Sequence, residues 1–91
     1  MSDPSVITVR YWASARAAAG VASDTFEVDG PLTVGEVVRR VLAAHPGDRL
    51  PPVLEVCSVL VGDRPVGARD LDEVWVEPGA SVEFLPPFAG G

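Results

Sequence analysis

The sequence predicts an α+β domain: a small mixed sheet, one main helix packed across one face, and an extended C-terminal tail. Three observations carry this expectation. Runs of apolar residues with period two open and close the chain, at 6–12 and 81–85. A capped amphipathic stripe lies between them, starting at Thr33. The last run leads straight into Pro86-Pro87, which ends any pairing because proline has no N–H for a ladder.

From Val6 to Trp12, Ile7, Val9 and Tyr11 alternate with Thr8, Arg10 and Trp12, as in a half-buried strand. The alanine-rich stretch Ala13 to Gly20 is too short to be a stable helix alone, so a turn or so is expected, stopped by Gly20. Asp24 to Val28 reads as a second strand, ended by the turn residues Asp29-Gly30-Pro31. Thr33-Val-Gly-Glu36 has the form of a capping box, in which hydroxyl and carboxylate each satisfy a backbone N–H. Behind it, Val34, Val37, Val38, Val41 and Leu42 form one helical stripe, with Arg39 and Arg40 turned to water. His45-Pro46-Gly47 stops this helix.

Pro46 to Leu54 reads as a proline-rich connection, and Val56 to Val61 as a third strand. Gly62-Asp63 is a turn signal before a short strand around Val66. Leu71 to Val76 reads mostly as connection, with one short strand or helical turn. Pro78-Gly79 turns the chain into the last strand, Ser81 to Leu85. The expected organisation is one domain over residues 1–85 and a flexible tail over 86–91, with no internal repeat or linker.

Composition excludes several classes of function. Ninety-one residues with 47 % hydrophobic and 22 % charged content make one globular domain, too small to enclose a large cofactor as well as a core. A net charge of −6 repels phosphate backbones and anionic lipid, so neither nucleic acid nor membrane is an expected partner. One cysteine (Cys57) and one histidine (His45) cannot build a structural metal site, and no bound cofactor or metal is expected. The start, Met1 to Ser5, lacks the basic and apolar regions of a secretion signal, and a reducing cytoplasm is the natural setting. All seven basic residues are arginine.

Nothing within 1–85 has the spacing of an active site: there is no phosphate-binding glycine loop and no Ser/His/Asp set. The chemistry points to Leu85-Pro-Pro-Phe-Ala-Gly-Gly91. Pro86-Pro87 favours an extended conformation, and the six residues from Pro86 onward reach about 20 Å. Gly90 and Gly91 carry no side chains, so the last backbone atoms fit a narrow channel. Such a tail delivers its α-carboxylate, a poor acyl donor until it is activated.

Two segments carry a resemblance. Val9 to Gly20 (V-R-Y-W-A-S-A-R-A-A-A-G) is similar to the first strand and following turn of the MoaD/ThiS sulfur carriers, and Pro78 to Gly91 resembles their last turn, strand and tail. These carriers have the ubiquitin-like β-grasp fold. Within the family the likeness is to MoaD, the small subunits of molybdopterin synthase. The resemblance implies a cycle run by partners. An E1-like, MoeB-type enzyme uses ATP to adenylate Gly91. A sulfurtransferase or cysteine desulfurase system then converts it to a thiocarboxylate, so that sulfur is carried as thioglycine. The MoaE-type large subunit finally takes that sulfur for cyclic pyranopterin monophosphate. Carriers for thiazole or cysteine synthesis, and ubiquitin-like modifiers conjugated through Gly91, share the fold and the terminal glycines.

Alternation assigns the docking face. If Ile7, Val9 and Tyr11 face the helix, Trp12 faces away; Cys57, Val59 and Val61 point in, Leu60 out; Val82 and Phe84 point in, Leu85 out. Leu60, Leu85 and Trp12, with Pro86, Pro87, Phe88 and Ala89 of the tail, are the expected partner-binding residues. Cys57 reads as a small buried residue, His45 as a helix C-terminal dipole partner and Trp75 as packing.

Overall fold

The computed structural model describes residues 5–87. Strand β1 (Val6–Tyr11) is followed by helix α1 (Ala13–Ala19) and strand β2 (Ser23–Glu27). Strand β3 (Leu32–Thr33) leads directly into α2 (Val34–Ala44), then come α3 (Leu50–Val56), β4 (Ser58–Val61) and β5 (Arg64–Pro65). A single 3-10 turn (Leu71–Glu73), β6 (Trp75–Val76) and β7 (Ser81–Leu85) complete the order.

Five strands form the main sheet in the order β2-β1-β7-β4-β5, with β1 and β7 parallel and the other neighbours antiparallel. The last strand therefore sits in the middle, paired on both sides. The expected period holds: Ile7, Val9 and Tyr11 on β1 and Val82 and Phe84 on β7 are all buried. They meet Val34, Val37 and Val41 of α2, with Val38 and Leu42 at the edge of the same core. Each such fully buried side chain contributes about 1.5–3 kcal/mol.

The structure corrects the sequence reading in several places. Pro51 and Pro52 lie in the first turn of α3, not in a loop, because N–H groups there have no intrahelical acceptor and proline loses nothing. Leu50 and Leu54, one helical turn apart, are buried beneath that helix, and the third strand starts at Ser58 instead of Val56. The Ala13 stretch makes two turns, closed as expected by Gly20 at φ 81°. The expected main helix is α2, and among the described residues two seven-residue helices, α1 and α3, accompany it.

The second sheet, β3 with β6, has two residues per strand, below the length at which periodicity can signal a strand. Finally, half of the capping box forms. The Glu36 N–H donates to Thr33 Oγ1 at 3.1 Å, but the Glu36 carboxylate turns to Arg39 (3.1 Å) and Arg40 (3.8 Å). Gly35 in the same turn is where the 3-10 segment comes closest, since a Cβ there would run into the Asp72 carboxylate.

Candidate functional site

The tail begins where the sheet ends. Leu85, the last residue of β7, lies opposite Ser58 on β4, and the Trp12 N–H donates to the Phe84 carbonyl at 3.2 Å on the other side. Pro86 and Pro87 follow outside the ladder, Pro86 half-buried and Pro87 exposed. Phe88, Ala89, Gly90 and Gly91 lie outside the described residues.

The pairing register builds the face beside this root. Glu83 is opposite Arg10 on β1 and Leu60 on β4, so all three share the face away from α2. Leu85, two residues on, shares it too. The Trp12 indole N–H donates to Glu83 Oε1 at 2.9 Å, which draws its ring onto the same face. Trp12 is 49 % exposed; Leu60 and Leu85 are half-buried. Trp12, Leu60 and Leu85 therefore surround one carboxylate next to the tail. That is an apolar patch with a polar centre, suited to a protein partner.

The opposite face holds a groove of about 770 Å³ between α2, α3 and β4, floored by Phe84 and Val59. Cys57 lines it, as a half-buried residue whose thiol donates to the Val53 carbonyl at 3.2 Å. Burial raises the Cys57 pKa, which keeps the thiol protonated and poorly nucleophilic. The sequence reads Cys57 as a small buried residue; the structure leaves it half-buried at the edge of the groove.

One constellation had no sequence signal. Asp24 Oδ2 accepts from the Tyr11 hydroxyl at 2.8 Å and lies 2.5 Å from His45 Nε2. The Tyr11 ring meets the His45 ring edge-on and stacks on Phe84. This clasp ties β1, β2 and the C-terminal end of α2 together at the end of the sheet where β7 releases the tail. Its members are 13 and 21 residues apart, so only the fold joins them. Trp75, expected to pack, is instead 61 % exposed on β6.

Desolvation first, then the Asp24 carboxylate, raise the Tyr11 pKa well above its usual value. The folded state therefore favours the neutral phenol. Its stabilisation is complete below the unfolded tyrosine pKa of about 10 and is lost as pH rises beyond that. Tyr11→Phe removes the hydrogen bond to a carboxylate and costs about 1.5–3 kcal/mol at neutral pH. Urea unfolding from neutral pH to above 10 checks both points, since the variant's stability falls less steeply in the alkaline range.

The model of the ThiS family matches residues 9–91. The chain belongs to the ThiS family. A molybdopterin synthase sulfur carrier subunit of Chlamydomonas reinhardtii is 32 % identical over 85 residues, covering 93 % of this chain and 98 % of that one. Among solved structures, SAMP1 from Haloferax volcanii superposes with a TM-score of 0.76 at 24 % identity, covering 94 % of this chain and 99 % of that one. Molybdopterin-converting factor from Helicobacter pylori, solved as a protein–protein complex of subunits 1 and 2, gives a TM-score of 0.63 at 20 % identity, with 94 % and 99 % covered. These neighbours share the ubiquitin-like β-grasp with this ThiS-family chain, as the sequence predicts. The family is that of the MoaD/ThiS sulfur carriers. Among the described residues no helix is long and apolar enough to cross a membrane.

Proposed function

We propose that this chain is the sulfur-carrier small subunit of a molybdopterin synthase, with the α-carboxylate of Gly91 as its working group. The observation that carries the reading is its near full-length match to a relative named for that role. The match of the ThiS family model through residue 91 supports Gly90 and Gly91 as the reactive end.

The chemistry runs in three steps. A Gly91 carboxylate oxygen attacks the α-phosphorus of ATP within an E1-like enzyme, and pyrophosphate leaves. The terminal sulfur of a persulfide from a sulfurtransferase or cysteine desulfurase system attacks the acyl carbon, AMP leaves, and a thiol then cleaves the resulting acyl disulfide to release the thiocarboxylate. The large subunit then receives the tail and passes the sulfur to cyclic pyranopterin monophosphate. Two sulfurs make a dithiolene, so two carriers are consumed per product. This chain contributes no catalytic side chain. It supplies the carried atom, a side-chain-free end that fits a channel, and a docking face that places the tail.

The experiment is reconstitution with a large subunit. Thiocarboxylated protein converts the pterin precursor to molybdopterin, whereas the free acid does not. Failure of conversion, together with isopeptide adducts on other proteins, would transfer the assignment to the modifier reading. The docking face makes its own prediction. Leu60→Asp places a second carboxylate beside Glu83 and lowers affinity for the large subunit by about 30-fold or more, a hot-spot loss. Titration calorimetry against the large subunit reads this, with circular dichroism showing an intact fold. Unchanged affinity means that the partner docks elsewhere.

A further inference from the structure

We propose that the outward face of β6, centred on Trp75, is a second docking surface of this chain. Its occupant is an extended segment of a partner protein, with an arginine or lysine side chain laid on the indole.

The residues on and around β6 alternate. Val74 and Val76 are buried in the core, whereas Glu73, Trp75 and Glu77 are exposed. Trp75 is 61 % exposed and lies opposite Thr33 on β3. Burial of the two valines ties this short strand down, so the fold itself does not require a large apolar ring on the other side.

The carboxylates around the ring set the chemistry of the occupant. Asp70, Asp72, Glu73 and Glu77 all lie within five residues of Trp75. Arg39 meets Asp72 at 3.5 Å, and among the described residues Asp70, Glu73 and Glu77 have no ion pair. An indole face attracts a cation placed within about 6 Å of its centroid, most often a guanidinium. The same cation comes within reach of Glu77, two residues and about 7 Å along the extended chain. A net charge of −6 adds a longer-range attraction for a basic surface.

The backbone favours an extended occupant. The Val34 N–H donates to the Val74 carbonyl at 2.9 Å, and the antiparallel ladder alternates from there. The N–H and carbonyl of Trp75 therefore point away from β3. Among the described residues no strand pairs with that edge of β6. A segment laid along it gains main-chain hydrogen bonds and sets a side chain beside the indole, as in strand addition.

The position suits a partner held while the tail is at work. Thr33, opposite Trp75, is the N-cap of α2. At the other end of that helix His45 meets Tyr11, which stacks on Phe84 beside the root of the tail. The eleven residues of α2 separate these ends by about 16 Å. The surface and its test do not depend on the chemistry of Gly91.

The probe is a capped peptide, Thr-Val-Arg-Val-Thr, titrated into the full chain at low salt and followed by proton–nitrogen correlation NMR. Trp12 and Trp75 give separate indole N–H signals, so each tryptophan reports its own face. The expected result is a saturable shift of the Trp75 indole and of the amides of residues 73–77, with the Trp12 indole unmoved. Citrulline in place of the arginine, or Trp75→Ser in the chain, weakens binding by about fivefold. Glu77→Gln weakens it by about twofold, and the spectra show directly that each variant is folded. No saturable shift at Trp75, or equal binding of the citrulline peptide, overturns the proposal. Shifts spread evenly over all the carboxylates, or a larger response at Trp12 than at Trp75, overturn it as well.

Discussion

Removing Gly90 and Gly91 is expected to reduce molybdopterin formation to background while leaving the folded domain intact. The ladder ends at Leu85, and the packed core is built from residues between Ile7 and Phe84. The core and the ladder of the described residues are complete without residues 90 and 91. An effect within about 0.5 kcal/mol is the usual outcome of change away from such features, which corresponds to a Tm shift of about 2–4 °C at most. The chemical effect is of another order. The truncated chain ends at Ala89, whose methyl group sits where the carrier presents bare backbone, and its carboxylate lies about 7 Å short of its proper place. Near-attack geometry tolerates errors of about 1 Å, so sulfur delivery fails completely. Thermal unfolding and single-turnover product formation together check the prediction. A truncated chain that still delivers sulfur would mean that the tail is a passive terminus.

The largest loss of stability is expected from Phe84→Ala. Phe84 is 1 % exposed on the central strand, stacks on Tyr11 with ring centroids 6.3 Å apart, and floors the groove between α2 and α3. Truncating such a ring costs about 3–5 kcal/mol, since the space it leaves already borders an open groove and the surroundings close it only in part. A domain of this length has a total margin of about 5–14 kcal/mol. The variant therefore melts about 15–30 °C lower. The damage reaches the site, because the Phe84 carbonyl accepts from Trp12, which in turn holds Glu83 at the docking face. Circular dichroism melts read the stability. A shift below about 5 °C would mean that this face of β7 is not packed as described.

How legible these features were in the sequence follows from the length over which each signal acts. The alternation in Val6 to Tyr11 and Ser81 to Leu85 placed both central strands, because one face of each is fully buried and a slip of one residue would expose it. The same parity placed Leu60 and Leu85 on one face before the register was known. Helix α3 escaped because Pro51 and Pro52 are breakers in a helix interior but neutral in its first turn, and only tertiary burial of Leu50 and Leu54 decides between these. Strands β3 and β6 are too short to carry a period. The Tyr11–Asp24–His45 clasp depends on three distant residues meeting, which no local pattern encodes. The tail beyond Pro87 lies outside the described residues, and its chemistry is read from the sequence alone, from Pro86-Pro87 and the two glycines that follow Ala89.

The measurement closest to the central claim is the mass of the intact chain after incubation with its activating enzyme, ATP and a sulfur donor. The account predicts a gain equal to replacing one oxygen by sulfur, localised to Gly91 by fragmentation and absent when ATP is withheld. An unchanged mass under conditions in which a known carrier gains sulfur would contradict it.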